Sequence, residues 1–322
     1  MTPPDHALTT VLRSYRTCEF ATLGRDGTPL AWPTAAWIRP DGTVLVTTSP
    51  AFAQKALNVR RDGRVALLFS DPTGHDDARA PQVLLSGTAV CPEEVRAGVA
   101  DAEEYWRQMF VRQPHSRAFL THPTRWLMDW YYLRLHITVT PDQVLTRAPL
   151  ADLPPAAAPG ASPSGSGTPE TGLPGAEPLG AALPGAGLLA EFPTAVLGAS
   201  APGGAPVLAR TRVVARPDGY QVFPEPDAPV LPGPASLLVH RHNDRLNGLR
   251  NVLVKGRLSL EGGTRLLAPT AVVDPAGAGR PGDQLRTLRT ARAATARYLS
   301  RRGLPRPRVA WAEFAALARP VE

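Results

Sequence analysis

Two amino-acid types are nearly missing from this 322-residue chain. Cysteine occurs only at Cys18 and Cys91, which excludes a disulfide framework and predicts packed free thiols in a reducing compartment. Lysine is as scarce, because all of the 35 basic residues except Lys55 and Lys255 are arginine. That bias follows genome base composition, so the formal charge of +7 is read as a solvated surface and not as a nucleic-acid footprint. No run of about eighteen apolar residues is present, and the opening Met1-Thr-Pro-Pro-Asp-His has no leader pattern. The expectation is a cytoplasmic protein with no membrane partner. Gly-x-Ser-x-Gly, a nucleotide-hydrolase phosphate loop and a dinucleotide-binding fingerprint are also absent, which excludes the enzymes those motifs serve.

Proline and glycine, by contrast, are abundant, and they concentrate between Ala148 and Ala190. This stretch has no aromatic residue, lysine or arginine, and cannot bury enough apolar surface to offset the cost of ordering its backbone. It predicts a flexible linker over 148–190 between a domain at 1–147 and a second at 191–322. Each half is long enough to bury a core of its own.

The first half reads mostly as strands, at Glu19–Leu23, Pro29–Ile38, Thr43–Thr48, Val65–Ser70, Gln82–Val90 and Trp130–Thr140. Arg25-Asp-Gly and Pro40-Asp-Gly lie between apolar runs, where Asp-Gly supplies the positive φ of a tight hairpin. Short strands so spaced predict an antiparallel sheet closing into a barrel. Helices are expected over Ala51–Arg61 and Glu93–Arg112, the second with Val95, Val99, Ala102, Trp106 and Met109 on its core face.

The second half repeats the first. Gly27-Thr-Pro29-Leu30 with Arg39-Pro-Asp-Gly42 recurs as Gly204-Ala-Pro206-Val207 with Arg216-Pro-Asp-Gly219, at the same spacing. Thr22-Leu-Gly24 is matched to Val196-Leu-Gly198, Val65–Phe69 to Ala235–Val239, and Val83–Gly87 to Val252–Gly256. Where the first copy has its short helix, the second has only Pro224–Pro234. The fold class expected is therefore mainly β with flanking helices (α+β): two tandem split β-barrels, the second degenerate, with a C-terminal helix.

Over most of the first half the chain resembles the pyridoxamine 5'-phosphate oxidase-like, FMN-binding split-barrel superfamily. The resemblance is carried by Phe20-Ala-Thr-Leu-Gly-Arg-Asp-Gly-Thr-Pro29, Val44-Leu-Val-Thr-Thr48, the Lys55-Ala-Leu-Asn58 helix and Gln82-Val-Leu-Leu-Ser-Gly87. It implies a flavoprotein, an FMN-dependent oxidoreductase acting on a small organic substrate. The FMN phosphate would lie near Thr47, Thr48, Lys55 and Asn58, where hydroxyls and a cation meet a helix start. Pro33, Thr34, Ala35 and Ala36 would face the flavin ring, and Gln82 its polar edge. Many relatives carry Ser-Arg before the lysine, whereas Ala53 and Gln54 stand here, and the carboxy-terminal arginine motif of vitamin B6 oxidation is missing. The same resemblance leaves open a deazaflavin reductase, or a non-catalytic module holding flavin or haem. In the superfamily the cofactor commonly lies between two barrels, so an intrachain pseudo-dimer or a homodimer is implied.

Two further features stand out. His240-Arg-His242-Asn-Asp244 puts two imidazoles on one strand face, able to meet a metal or haem iron, but no third ligand is evident, and a polar loop with no metal is the reading adopted. The basic segment Asp283–Arg302 predicts a solvated helix packed on the second barrel.

Overall fold

The computed structural model describes residues 6–121, 125–153, 183–225, 228–273 and 283–319. Most of the proline- and glycine-rich stretch expected to be a linker, 154–182, lies outside the described residues. The first half comprises α1 (His6–Ser14), β1 (Cys18–Leu23), β2 (Pro29–Thr34), β3 (Ala36–Ile38), β4 (Val44–Thr48), α2 (Gln54–Arg61), β5 (Arg64–Phe69), β6 (Pro81–Val90), α3 (Glu103–Arg112), α4 (Ala118–Thr121), α5 (Asp129–Tyr132) and β7 (Leu135–Pro149). The second comprises α6 (Ala186–Leu189), β8 (Ala195–Ser200), β9 (Pro206–Arg216), β10 (Gly219–Pro224), β11 (Leu231–Arg241), β12 (Arg250–Glu261), β13 (Thr264–Val273), α7 (Asp283–Ser300) and α8 (Trp311–Leu317).

The first sheet runs β2-β1-β5-β6-β7-β4-β3, and its edge strands β2 and β3 are successive halves of one segment broken at Ala35. The second sheet is a closed barrel, β10-β13-β12-β11-β8-β9. Exchanging β1 for β8, β2 with β3 for β9, β4 for β10, β5 for β11, β6 for β12 and β7 for β13 turns one order into the other. The matched glycines within β6 and β12 act alike: a Cβ on Gly87 would lie 2.2 Å from the Thr140 carbonyl oxygen, and one on Gly256 2.3 Å from that of Ala268. Each glycine sits at a register shift, between β6 and β7 or between β12 and β13. Only the match of Thr22–Gly24 to Val196–Gly198 is out of step. Leu23 pairs with Pro29 and Ser200 with Pro206, so Leu23 corresponds to Ser200, three residues further on. Short apolar runs align at several offsets, and the hairpin fixes which is real.

The barrels pack through the strands that the repeat makes equivalent. β1 and β5 touch β9, while β8 and β11 touch β2, as in a two-fold pair. This explains the unbroken apolar runs. Val65, Leu67 and Phe69 of β5 fill the first barrel, and the alternate residues Ala66 and Leu68 join the core of the second. Small residues let the sheets approach, and Ser236 Oγ donates to the Pro29 carbonyl at 2.6 Å across the junction.

Three expectations need correction. Helix α3 begins at Glu103, not Glu93: Asp101 takes a positive φ of 63°, and Arg96 forms a bridge with Arg134. Val95 and Val99 therefore reach the cores from irregular chain. The segment expected as a strand from Trp130 starts with the helical turn α5, and the strand runs instead from Leu135 to Pro149. Aromatic residues favour strands, but here Tyr131 and Tyr132 pack around Trp106 in an aromatic hub. Finally, α7 packs on the first half. Tyr298 and Leu299 enter its core, and Phe314 of α8 is wholly buried against Trp106 and Tyr132.

Candidate functional site

The junction of β4 and α2 holds most of the residues expected to bind a phosphate. Ser49 caps the turn Pro50–Phe52 by accepting from the Ala51 N–H, and α2 follows at once. Lys55, on the first turn of α2, sends its amine back to β2, donating to Thr34 Oγ1 at 3.4 Å and lying 5.9 Å from the Trp32 ring centre. No carboxylate among the described residues pairs with it. Burial, with the Arg134 guanidinium nearby, pushes the Lys55 amine down to about 8. Arg134 is likewise held by rings and not by acids, 4.5 Å from the Tyr131 centre and 5.2 Å from that of Trp106. Two cations without an opposing charge thus face the same part of the barrel.

Other expected site residues are already engaged by the protein. Thr47 Oγ1 donates to the Tyr105 hydroxyl at 3.0 Å, and Thr48 Oγ1 to the Phe52 carbonyl at 2.9 Å. Both are almost fully buried, beneath α3 and the turn that α7 covers. Asn58, fully buried, donates to Thr22 Oγ1 and accepts from Gln54, fastening α2 to β1. Pro33 and Thr34 are buried on β2, while Ala35 and Ala36 are half-buried at its break. Gln82 is turned to the second barrel, donating to the Ala148 carbonyl and to Glu225, the counterpart of Thr48, while its side-chain oxygen finds no partner. The structure thus brings Thr34, Lys55 and the Thr47–Thr48 strand end together, and leaves Gln82 elsewhere.

A second polar cluster lies where the barrels meet. Glu19, on β1, is fully buried and accepts from Arg210 at 2.7 Å, from Ser70 at 3.0 Å and from His240 Nε2 at 2.7 Å. Arg210 also donates to Ser70 at 2.8 Å. Ser70 and His240 occupy matching positions of the two copies, at the ends of β5 and β11. Neither Glu19 nor Arg210 was singled out in the sequence, although Glu19 is a lone charge within the apolar strand β1, the mark of a buried ion pair. His240 and His242 do share a face, their ring planes 16° apart, but neither imidazole is exposed. No haem face could reach them without parting the barrels.

The amino-terminal half is thus a split barrel with a cation on the first turn of its short helix. Residues 4–126 match the sequence model of the pyridoxamine 5'-phosphate oxidase family. No curated protein matches the chain. Among solved structures, a conserved hypothetical protein from Mycobacterium tuberculosis is similar at 22% identity and a TM-score of 0.33, over 50% of this chain and 95% of that one. A haem storage protein from Vibrio cholerae is similar at 14% identity and 0.32, over 46% and 99%. A protein of unknown function from Agrobacterium tumefaciens is similar at 23% and 0.32, over 48% and 63%.

Proposed function

We propose that the amino-terminal barrel binds the phosphate of a flavin, FMN in the first instance, and serves an oxidoreductase acting on a small organic substrate. The observation that carries this reading is the Lys55 amine, half-buried beside Thr34 with no acidic partner among the described residues. A cation drawn partly out of water without a partner is costly, and a phosphate dianion would offset that cost. A bound flavin would supply the hydride chemistry. The chain's own part is to hold the anion with Lys55, with Arg134 adding positive potential, and to line the ring with the β2 backbone from Pro33 to Ala36. The engaged hydroxyls of Thr47 and Thr48 favour a second reading, a binding module without turnover, and a deazaflavin ends in the same kind of phosphate-linked tail.

The test is a titration of the full chain with FMN and with a deazaflavin, followed by flavin fluorescence. Lys55→Ala should weaken binding of the favoured cofactor about tenfold or more, the loss of one charge-assisted contact. Affinity should fall as pH rises through about 8, because the amine then loses its proton and its charge. Failure of both flavins to bind, or an unchanged affinity in the variant, overturns the reading. Bound flavin that neither a nicotinamide donor reduces nor oxygen reoxidises selects the binding module.

A further inference from the structure

We propose that Asp71 of the first barrel, with His240 and His242 of the second, forms a site for one divalent transition-metal ion of the zinc type, bridging the two barrels. It stands apart from the flavin reading and uses none of its residues.

One candidate ligand atom from each of the three side chains lies close to the other two. Asp71 follows β5, and its Oδ1 accepts from the Thr73 N–H at 3.0 Å and the Thr73 hydroxyl at 2.7 Å, which fixes the carboxylate. Oδ2 is left facing His240 Nδ1 at 3.8 Å and His242 Nε2 at 3.6 Å. One ligand atom from each of the three residues lies within 4.8 Å of the others. Zinc–nitrogen bonds are about 2.0–2.1 Å long, so side-chain rotations on the order of 1 Å close the triangle around an ion.

Hydrogen bonding sets the tautomers. Nε2 of His240 points at Glu19 at 2.7 Å and therefore carries a proton, leaving Nδ1 as a bare acceptor. That Nδ1 has no hydrogen-bond partner, and its side chain has no exposed surface. His242 Nδ1 lies 2.9 Å from the Asn243 carbonyl, which can only accept, so the lone pair of this ring is on Nε2. The Thr17 hydroxyl, at 2.9 Å, donates to that atom and would turn aside for an ion. A carboxylate behind one imidazole and a backbone carbonyl behind the other are the supports that orient metal-binding histidines.

Charge agrees with this assignment. Among the described residues Glu19 and Asp71 have one ion-paired guanidinium between them, Arg210, so with both imidazoles neutral the cluster carries a net negative charge that a dication reverses. Two imidazoles and one carboxylate suit zinc and its first-row neighbours, and leave a fourth position for water or for Thr17.

The test uses the untagged full chain, stripped with a chelator and titrated with Zn2+ against a chromophoric competitor, then with Co2+ to read its visible bands. One ion per chain is expected, with cobalt bands of low coordination number and a rise in thermal midpoint on adding zinc. Asp71→Asn and His242→Gln should each weaken binding about 100-fold or more, since losing a mere support costs 10- to 100-fold. Both should abolish the zinc-dependent rise in midpoint, their folds being checked by circular dichroism. Wild-type protein that takes up no stoichiometric metal overturns the proposal, whether or not the variants fold. So does binding that both folded variants retain, which would mark an adventitious ion only.

Discussion

At the level of single residues, His136 shows how burial becomes pH dependence. It lies on β7, nearly buried, beside a cavity of about 430 Å³ lined also by Arg39, Arg96 and Asp101. Burial first, then Arg96, Arg39 and Arg134, pushes its imidazole down to about 4. The unfolded chain therefore binds a proton near pH 6.5 that the folded chain refuses until about pH 4. The stability tied to this residue is complete above pH 6.5 and is lost as pH falls toward 4, by about 3 kcal/mol. Urea unfolding at pH 7 and pH 4.5 should show this loss in the wild type and a flatter dependence in His136→Gln. Residue types alone made Lys55 legible, as the lone lysine of its domain. They could not reveal Asp71, because its partners are about 170 positions away and meet it only through barrel docking.

At the level of elements, turn chemistry and recurrence carried most of the reading. Asp-Gly hairpins, short apolar runs and the recurring Gly87 and Gly256 mark the strands and their duplication in the sequence. Element ends and tertiary partners were not legible. The onset of α3 depends on the unusual φ of Asp101, and α5 replaces a strand because its aromatic rings have a hub to fill. For α7 and α8 the sequence shows an apolar stripe but not which surface it covers. Phe314→Ala should cost about 3–5 kcal/mol, the usual penalty for emptying a buried aromatic site. Denaturant unfolding followed by tryptophan fluorescence should register it, since Phe314 packs edge-on to Trp106 at 4.8 Å. An unchanged midpoint would mean that α8 leaves the hub in solution.

At the level of the whole molecule, the two barrels join through an interface whose centre is charged. Glu19 and Arg210 come from different copies and are buried with Ser70 and His240. Removing one partner strands the other, so Arg210→Met should lower stability by about 3–5 kcal/mol in thermal or chemical unfolding. Replacing both, as Glu19→Met with Arg210→Met, should recover much of that loss. A double variant no more stable than the single one would show that the pair is not the unit. The duplication also explains why the two faces differ. Only the first copy keeps the helix that bears Lys55, and among the described residues between β10 and β11 the second has none.

The return of α8 to the first barrel also bears on synthesis. The ribosome completes Tyr132 about 180 residues before it reaches Phe314, a delay of roughly 10 to 35 s at 5–20 residues per second. Throughout that interval the nascent first barrel carries an open aromatic socket, which α8 has yet to close.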